Sequence, residues 1–484
     1  MAKWKAISEY FILGLLLIPL IFINHRETHD WGGDFAQYIQ QSINIIELEA
    51  QSNHHYLYNE EHPMLGPELY PIGFPLVLSP VIATFGNDMP LLILYMNIWL
   101  ILCGLAFFSV LKLYYKSLPS MALVVLLCYK PYLIIFKSEV MADLPFLFFL
   151  LLAFRSYAKK GFDLYTTLLI IMACLIKPYG LSLLVALLFD KLIRKWRTKE
   201  AFKPSQVFYF VLAFLLPSLL NQLIFGVPSS FTSYLNNFSF GDFWSTVQAN
   251  FELYYQPFDN YIVLIDPDLA TSAAILSILL FSLLFIGLAY RLYFYGFGSI
   301  ELFVIIHLAM LILFPSQAQG PRYLLAILPF LFILVNEAFI PMQMRWPFLK
   351  DWPIYSLVAI HLVFYLANIP WINQNFSDPL PGPQAKASIE CFEYLQKNID
   401  KSDHVVFKKP RVLGLYADID SYSNEPYQSL EELEHKYSKM GTRYFLTNVH
   451  NHNEALEERF IPAHRNELKI VWQNEAFKLY MRTE

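Results

Sequence analysis

Apolar runs long enough to span a bilayer recur along the first 370 residues of this 484-residue chain. A bilayer core needs roughly 20 apolar residues per helix, and runs near that length, bounded by charge or by Pro and Gly, predict about eleven spans. They lie near 8–24, 89–111, 118–136, 140–158, 164–176, 179–193, 205–225, 269–290, 299–315, 322–340 and 353–370. The pattern predicts a polytopic α-helical membrane protein whose first span is retained, because Arg26 and Glu27 follow it rather than a cleavage site of small residues.

Lysine and arginine in the short loops predict the orientation of these spans, because basic loops are retained on the cytoplasmic side. With the N-terminus inside, the cytoplasmic segments hold most of these residues, including the run from Lys191 to Lys203, whereas the outer short segments hold few. This asymmetry places the loops 25–88 and 226–268, and everything after residue 370, outside the cytoplasm. We expect the chain to lie in a bacterial inner or plasma membrane.

Composition supports the membrane assignment and excludes other classes. The chain is 56% hydrophobic, 17% aromatic and only 15% charged, which is far from the composition of a soluble protein. It has no basic tract of the kind that binds nucleic acid. Cys103, Cys128 and Cys174 lie inside apolar runs and Cys391 lies in the polar tail, so an extracytoplasmic disulfide has no partner within its compartment.

The tail, residues 371–484, is polar and has the patterns of a small soluble domain. SIECFEYLQKNI and LEELEHKYSKM show helical spacing, and HVVFKK and TRYFLTNV are typical of strands. LKIVWQNEAFKLYMR predicts a closing hairpin around Asn474 and Glu475. We therefore predict an extracytoplasmic α/β domain at 371–484, following a transmembrane catalytic domain at 1–370.

Asp34 is the first candidate for chemistry. It follows the first span and begins what the pattern predicts to be an amphipathic helix, within HDWGGDFAQYIQQSI. A carboxylate there is equally well explained as an N-terminal cap that the helix dipole favours. Asp30 is a weaker rival for a functional role.

Glu139 and Asp143 form the second acidic candidate. They stand four residues apart in SEVMADLPF, which predicts that they share one helical face at the outer end of the fourth span. The alternative interpretation of Glu139 is that its side chain simply reaches the membrane–water interface. Asp143 lies deeper and is followed by Leu144 and Pro145, which favours a functional role.

Two cations complete the set of candidates. Lys177 precedes Pro178 at a helix break in CLIKPYGL, and Arg322 begins a span in QGPRYLLAILPF. Each is alternatively an interfacial anchor. Cations can hold a lipid phosphodiester and the charge that develops on it, and a carboxylate can accept the proton of an acceptor hydroxyl. The charge types therefore fit sugar transfer from a lipid phosphate.

Several segments, taken in order, resemble the type-C glycosyltransferase superfamily. They are GGDFAQYIQQSINI, YPIGFPLVLSPVIATFGND, KPYLIIFKSEVMADLPFLFFLLLAF, IKPYGL and GPRYLLAILPFL, followed in the tail by CFEYLQKNID, VVFKKPRVLGLYADIDSYS and GTRYFLTNV. The likeness is to the family 39-like branch, which contains the protein O-mannosyltransferases and the lipid A aminoarabinose transferases.

The resemblance implies an inverting enzyme that moves a sugar from undecaprenyl or dolichyl phosphate to an extracytoplasmic lipid, glycan or protein. It implies that Asp34 is the catalytic base and that Asp143, with Glu139, matches the second acidic motif. It implies that Lys177 and Arg322 face the lipid phosphate.

One departure from the family pattern concerns metal. Phe35 and Ala36 follow Asp34, so no second acid completes a paired-carboxylate site, which leaves a divalent metal ion an open question. The loop NHHYLYNEEH offers weak candidate ligands, although a solvated polar loop is the favoured interpretation. These residues are His54, His55, Glu60, Glu61 and His62.

Two other function classes remain open from the sequence. A transporter or flippase of lipid-linked saccharides would share the spans, but it would be expected to place ionisable residues near mid-bilayer and to show symmetry between its halves. A non-catalytic assembly subunit is the third possibility. In the favoured reading the tail is not the catalytic centre, and it contributes to acceptor choice or to closing the site.

Overall fold

The computed structural model describes residues 2–59, 67–199, 203–227, 243–262, 270–313, 321–376, 381–425, 427 and 429–483. The chain divides into two compact units. The helical unit comprises Met1–His25, Ile93–Ile224 and Pro228–Ser377. The loop–tail unit comprises Arg26–Leu92, Phe225–Val227 and Asp378–Glu484, so the first loop belongs with the tail rather than with the helices.

Helices account for most of the helical unit. They are Ala2–Leu17, Ser117–Cys128, Pro131–Phe136, Asp143–Lys160, Leu164–Ile176, Gly180–Thr198, Pro204–Leu219, Phe243–Ile262, Ala270–Phe294, Ser299–Ile312, Leu328–Glu337, Ile340–Arg345 and Trp352–Phe376. Short 3₁₀ or π turns follow or connect them at Ile18–Ile21, Leu220–Ile224, Pro321–Ala326 and Pro347–Leu349. The helix Met89–Leu111 carries the chain from the loop–tail unit into the helical unit.

Four helices within the described residues are long and apolar enough to cross a membrane: Met89–Leu111, Pro204–Ile224, Ala274–Phe294 and Trp352–Phe376. Five shorter apolar helices accompany them, at Ile7–Ile21, Gly73–Phe85, Ser117–Cys128, Leu164–Ile176 and Ser299–Ile312. These helices fit a multi-pass membrane protein. The total of about eleven spans stays a prediction.

Prolines set several helix boundaries in the helical unit. The predicted span 118–136 is two helices, because Pro131 cannot donate the hydrogen bond that would continue the first helix, and instead it begins Pro131–Phe136. Leu164–Ile176 begins at a cap in which the Asp163 side chain accepts from Thr166 N. It ends at Lys177, since Pro178 follows and the residue before a proline favours extended backbone.

The tail contains the predicted sheet, with one additional strand. Its strands are β1 (Val405–Val406), β2 (Ser421–Tyr422), β3 (Tyr444–Asn448), β4 (Leu468–Gln473) and β5 (Phe477–Arg482), in the order β2-β1-β3-β5-β4. β1 is parallel to both β2 and β3, whereas β5 is antiparallel to β3 and β4. The helices of the tail are Lys386–Asn398, Pro410–Ala417, Leu430–Lys439 and the short turn Ile461–Ala463, which follows π-helical residues Ala455–Phe460. The predicted helices, strands and hairpin of the tail are confirmed, and the sequence missed β2 and the helix Pro410–Ala417.

Two helices of the first loop, Gly33–Glu47 and Gly73–Phe85, belong to the loop–tail unit. The loop also joins the sheet, because Leu57 N donates to Ser421 O (2.9 Å) and Ser421 N donates to His55 O (3.0 Å). Gly414 permits this close approach, since a Cβ there would lie 2.8 Å from His54 O. The loop is therefore an additional edge of the tail sheet.

Trp31 anchors the loop to the tail within the same unit. Its ring packs edge-on against Phe392, Phe407 and Phe477, with ring centres 6.4, 5.9 and 6.0 Å away, and its indole N–H donates to Pro381 O. A buried indole with a satisfied N–H stabilises through both its area and its hydrogen bond. The predicted roles of 1–370 and 371–484, as a catalytic and an extracytoplasmic domain, stay predictions.

Candidate active site

Asp34 lies in the first turn of the amphipathic helix Gly33–Glu47, as the sequence predicted. The N-cap residue is Gly32, so Asp34 is not the cap itself. Asp30 lies two residues before this N-cap, and its Oδ1 accepts from Gly32 N (2.7 Å), which forms an Asx turn ahead of the helix. The positive end of the helix dipole still favours the Asp34 carboxylate.

Two side chains hold one oxygen of the Asp34 carboxylate. Tyr70 donates its hydroxyl proton to Asp34 Oδ1 (2.6 Å), and Arg411 Nη1 lies 3.4 Å from the same oxygen. The Asp34 side chain is 24% exposed and that of Arg411 is 10% exposed. All three residues belong to the loop–tail unit. The carboxylate is therefore held by charge-assisted contacts while part of it stays accessible.

A cleft of about 190 Å³ opens beside this carboxylate within the loop–tail unit. Its polar lining includes Asp34, Asn59, Lys409, Arg411 and Glu425, and Tyr56 contributes an aromatic wall. Hydroxyl-rich molecules bind through such mixtures of hydrogen-bonding groups and ring faces. The cleft thus leaves the Asp34 carboxylate open to a small polar molecule.

The two described candidates for metal ligands are engaged by other groups. His55 Nε2 lies 2.7 Å from Asp418 Oδ1, and His55 Nδ1 lies 2.9 Å from Asp420 Oδ1. His54 is buried, and its Nδ1 accepts from Tyr56 N (3.2 Å). Burial and the nearby charge of Arg411 lower the pKa of His54 to about 4, which keeps its ring neutral. The other weak candidates, Glu60, Glu61 and His62, lie outside the described residues.

Asp143 and Lys177 form a buried ion pair in the helical unit. Lys177 Nζ donates to Asp143 Oδ1 at 2.6 Å, and the two side chains are only 8% and 4% exposed, respectively. Asp143 begins the helix Asp143–Lys160, and Lys177 ends Leu164–Ile176, so two helix ends meet at the pair. A close hydrogen-bonded partner offsets the cost of removing each charge from water.

Arg322 and Tyr323 extend this pair into a cationic cluster. Lys177 Nζ lies 4.7 Å from the centre of the Tyr323 ring, and the Arg322 guanidinium carbon lies 5.5 Å from it. His307 Nε2, at 3.0 Å from Tyr323 O, holds this segment. The structure therefore brings two of the predicted residues, Lys177 and Arg322, to one aromatic ring, and Asp143 joins them through its ion pair with Lys177.

The predicted pairing of Glu139 with Asp143 on one helical face is wrong. The helix begins at Asp143, and Glu139 lies in the irregular segment before it. Pro145 explains this start, because its ring would clash with the carbonyl of residue 141 if the helix extended further toward the N-terminus. Glu139 therefore has no i,i+4 relation to Asp143 within a helix.

Sequence reasoning missed three residues that complete the two clusters. Tyr70 and Tyr323 lie in segments that carried the family resemblance, but neither was singled out. Arg411 follows Pro410 in the tail, 377 residues from Asp34, and no local pattern connects the two. Only the fold shows that a basic residue of the tail contacts the first loop.

Solved structures share this architecture over almost the whole chain. ArnT from Cupriavidus metallidurans bound to undecaprenyl phosphate aligns with a TM-score of 0.56 at 11% identity and covers 97% of each chain. The oligosaccharyltransferase of Archaeoglobus fulgidus in complex with zinc and sulfate aligns with a TM-score of 0.58 at 12% identity, covering 98% of this chain and 73% of that one. The chain has the type-C glycosyltransferase fold.

A third structure is the Archaeoglobus fulgidus oligosaccharyltransferase AglB in complex with an inhibitory peptide and a dolichol-phosphate. It has a TM-score of 0.52 at 12% identity and covers 92% of this chain and 70% of that one. No protein-family model matches the chain, and no curated protein matches its sequence. The similarity therefore lies in the fold, and the fold resemblance predicted from the ordered motifs is confirmed.

Proposed function

We propose that this chain is an inverting glycosyltransferase that moves one sugar from a polyprenyl-phosphate carrier to an extracytoplasmic acceptor. The observation that carries the proposal is the alignment over 97% of both chains with a protein bound to undecaprenyl phosphate. The acidic and basic residues singled out in the sequence support it, since most of them lie in two partly or fully buried clusters. The proposed carrier is undecaprenyl or dolichyl phosphate.

The proposed step is a single displacement at the anomeric carbon. The acceptor oxygen attacks the face opposite the phosphate, and its proton passes to the Asp34 carboxylate. The new carbon–oxygen bond forms while the bond to the phosphate oxygen breaks, and the polyprenyl phosphate leaves with that electron pair. Attack opposite the leaving group inverts the configuration at the anomeric carbon.

Lys177 and Arg322 are the proposed partners of the donor phosphate. Charge-assisted hydrogen bonds from cations stabilise the negative charge that develops on a leaving phosphate. Arg322 adds a positive charge beside the neutralised Lys177–Asp143 pair, and the face of the Tyr323 ring attracts both cations. The proposed role of Asp143 is to hold the Lys177 ammonium in place.

We expect transfer of label from a lipid donor when the purified protein is mixed with a membrane extract. The probes are undecaprenyl phosphate carrying radiolabelled mannose, glucose or 4-amino-4-deoxyarabinose, each supplied separately. A covalently labelled acceptor that depends on the protein is the expected result. Movement of intact donor across a vesicle membrane, with no labelled product from any probe, would instead favour a flippase and contradict the transferase.

We propose the orientation in which the N-terminus is cytoplasmic and the tail extracytoplasmic, in a bacterial inner or plasma membrane. An alkaline phosphatase fusion after residue 375 should be active, because the enzyme matures only outside the cytoplasm. A fusion near Lys199 should be inactive and is the matched control. The reverse pattern would show that the predicted number of spans is wrong by one.

A further inference from the structure

Arg411 is a basic residue of the tail whose side chain contacts the first loop. It is the second residue of the helix Pro410–Ala417, and its side chain is 10% exposed. Its Nη2 donates to Pro67 O (2.6 Å) and its Nη1 donates to the Tyr70 hydroxyl oxygen (3.1 Å). A planar guanidinium has several donors in a fixed arrangement, so it can bind a backbone carbonyl and a hydroxyl together.

Arg411 reinforces the hydrogen bond that Tyr70 donates to Asp34. A guanidinium can only donate, and a tyrosine hydroxyl has one proton to give. Because Arg411 Nη1 donates to the Tyr70 oxygen, the Tyr70 proton is directed away from the guanidinium and toward Asp34 Oδ1, 2.6 Å away. Arg411 therefore organises Asp34 through Tyr70 as well as by its own charge.

The surroundings of Arg411 preserve that charge. Its guanidinium carbon lies 4.8 Å from the centre of the Tyr56 ring and 5.3 Å from that of Tyr70. Burial alone would lower the pKa of Arg411, but Tyr70, Asp34 and Tyr56 outweigh burial and raise it. The group stays cationic at every pH at which the protein is folded, so it supplies a permanent charge beside Asp34.

We propose that Arg411 is a positioning residue for the transfer reaction. Acting through Tyr70, it holds the Asp34 carboxylate in the orientation and in the ionised form that accept the acceptor's proton. Arg411 itself neither gives nor takes a proton in this step. The inference rests on the proposed function, and it assigns to the tail a direct influence on the catalytic base.

Other charged and titratable groups line the same cleft, and they affect how kcat depends on pH. Lys408, Lys409 and Glu425 line it from the tail, and Tyr56 lines it from the first loop. Lys408 Nζ donates to His452 O (2.8 Å), which directs its charge toward the tail. His54 has a pKa of about 4, so its ring stays neutral over the usual assay range. Arg411 is the cation for which the structure gives a contact with Asp34.

Replacing Arg411 by Gln tests the proposal. We expect kcat to fall about 10- to 100-fold, the range for losing one hydrogen bond to a charged group, while KM for the lipid donor stays within about twofold. The acid limb of the pH profile of kcat, where turnover falls as the Asp34 carboxylate is protonated, should move to higher pH. An adjacent cation favours the ionised carboxylate, so removing the cation makes the carboxylate easier to protonate. Rates are measured with the undecaprenyl-phosphate probe that supports transfer.

A double-mutant cycle with Tyr70→Phe tests the route through the hydroxyl. If Arg411 acts through Tyr70, Arg411→Gln should cost less in the Tyr70→Phe background than in the native protein. Arg411→Lys keeps the positive charge but loses the planar set of guanidinium donors. It should therefore retain the native acid limb while recovering only part of kcat. Tyr70→Phe alone should move the acid limb in the same direction as Arg411→Gln.

Arg465→Gln, at an exposed position of the tail, is the matched control and should keep native kinetics. An unchanged kcat and acid limb in Arg411→Gln, with Asp34→Asn inactive, would overturn the role of Arg411 and leave the proposed function standing. Native turnover in Asp34→Asn would instead overturn the proposed base. If Arg411→Gln fails to fold, Tyr70→Phe tests the proposal in its place. A native kcat together with a native acid limb in Tyr70→Phe would then reject the positioning role of Arg411.

Discussion

Asp34→Asn should insert, fold and bind the lipid donor, but turn over at least about a hundredfold more slowly than the native protein. Asparagine is nearly isosteric, and its carbonyl oxygen can still accept from Tyr70 and Arg411, so the local contacts are largely preserved. It cannot take the proton of an acceptor hydroxyl, and removing a general base typically costs about 10² to 10⁴ in rate. Single-turnover transfer at saturating donor measures the effect.

Asp88→Asn is the matched control for a structural explanation. Asp88 Oδ1 accepts from Leu91 N (3.0 Å) before the helix Met89–Leu111, and asparagine can keep this hydrogen bond, so the variant loses only a carboxylate charge at a helix N-terminus. Losing that charge costs about 0.3–1 kcal/mol of stability and leaves the chemistry unchanged. If Asp34→Asn resembled Asp88→Asn, with a small loss of stability and near-native turnover, Asp34 would only stabilise its helix. Asp143 would then become the acid to examine.

Local patterns predicted the helices of this protein well. Each of the eleven apolar runs is helical over most of the residues that the structure describes. The amphipathic helix after Gly32 and the closing hairpin of the tail were also predicted. These features depend on hydrophobic periodicity and turn residues within a few positions, which a single sequence displays directly.

Helix starts were predicted less well where a proline near the N-terminus decided them. Glu139 and Asp143 have the spacing of one helical face, yet the helix begins only at Asp143. The signal was present, because Pro145 fits the first turn of a helix and blocks its extension toward Glu139. The positions of the two acids relative to Pro145 were a better guide to the start of the helix than the spacing between the acids.

Contacts between distant segments could not be predicted at all. Tyr56 pairs with Ser421, and Asp34 contacts Arg411, across more than 360 residues of sequence. The pairing of a two-residue strand such as β2 carries almost no periodic signal. The predicted boundary near residue 371 follows composition, whereas the units follow packing, and the first loop packs with the tail.

The candidate acids and bases were found because charge is costly near lipid, but their pairing was not. Asp143 and Lys177 lie 34 residues apart, and each was assigned a separate role from the sequence. The fold joins them because two helix ends, one begun by Asp143 and one ended by the break at Lys177–Pro178, come together. A buried charge of either sign predicts a partner but does not identify it.

Lys177→Met should destabilise the protein by about 3–5 kcal/mol, because it leaves the Asp143 carboxylate buried without its cation. Within the described part of the chain, Asp143 Oδ1 accepts from Lys177 and Asp143 Oδ2 accepts no hydrogen bond, so little else offsets the loss. The double variant Lys177→Met/Asp143→Leu should recover native stability within about 1–2 kcal/mol, since apolar pairs of similar volume replace buried ion pairs at little cost. Thermal unfolding of the detergent-solubilised protein measures both.

Turnover of that double variant separates the structural and the chemical role of Lys177. If Lys177 acts at the donor phosphate, the double variant regains stability but not turnover, because no ammonium remains to stabilise the leaving phosphate. The same replacement at the cluster of Arg291 with Glu301 and Glu337, made as Arg291→Met/Glu301→Leu/Glu337→Leu, is the matched control and should leave turnover per folded molecule close to native. Recovery of both stability and turnover in Lys177→Met/Asp143→Leu would make the ion pair a packing feature. The donor phosphate would then need another cation, and Arg322, which shares the Tyr323 ring with Lys177, would be the residue to replace next.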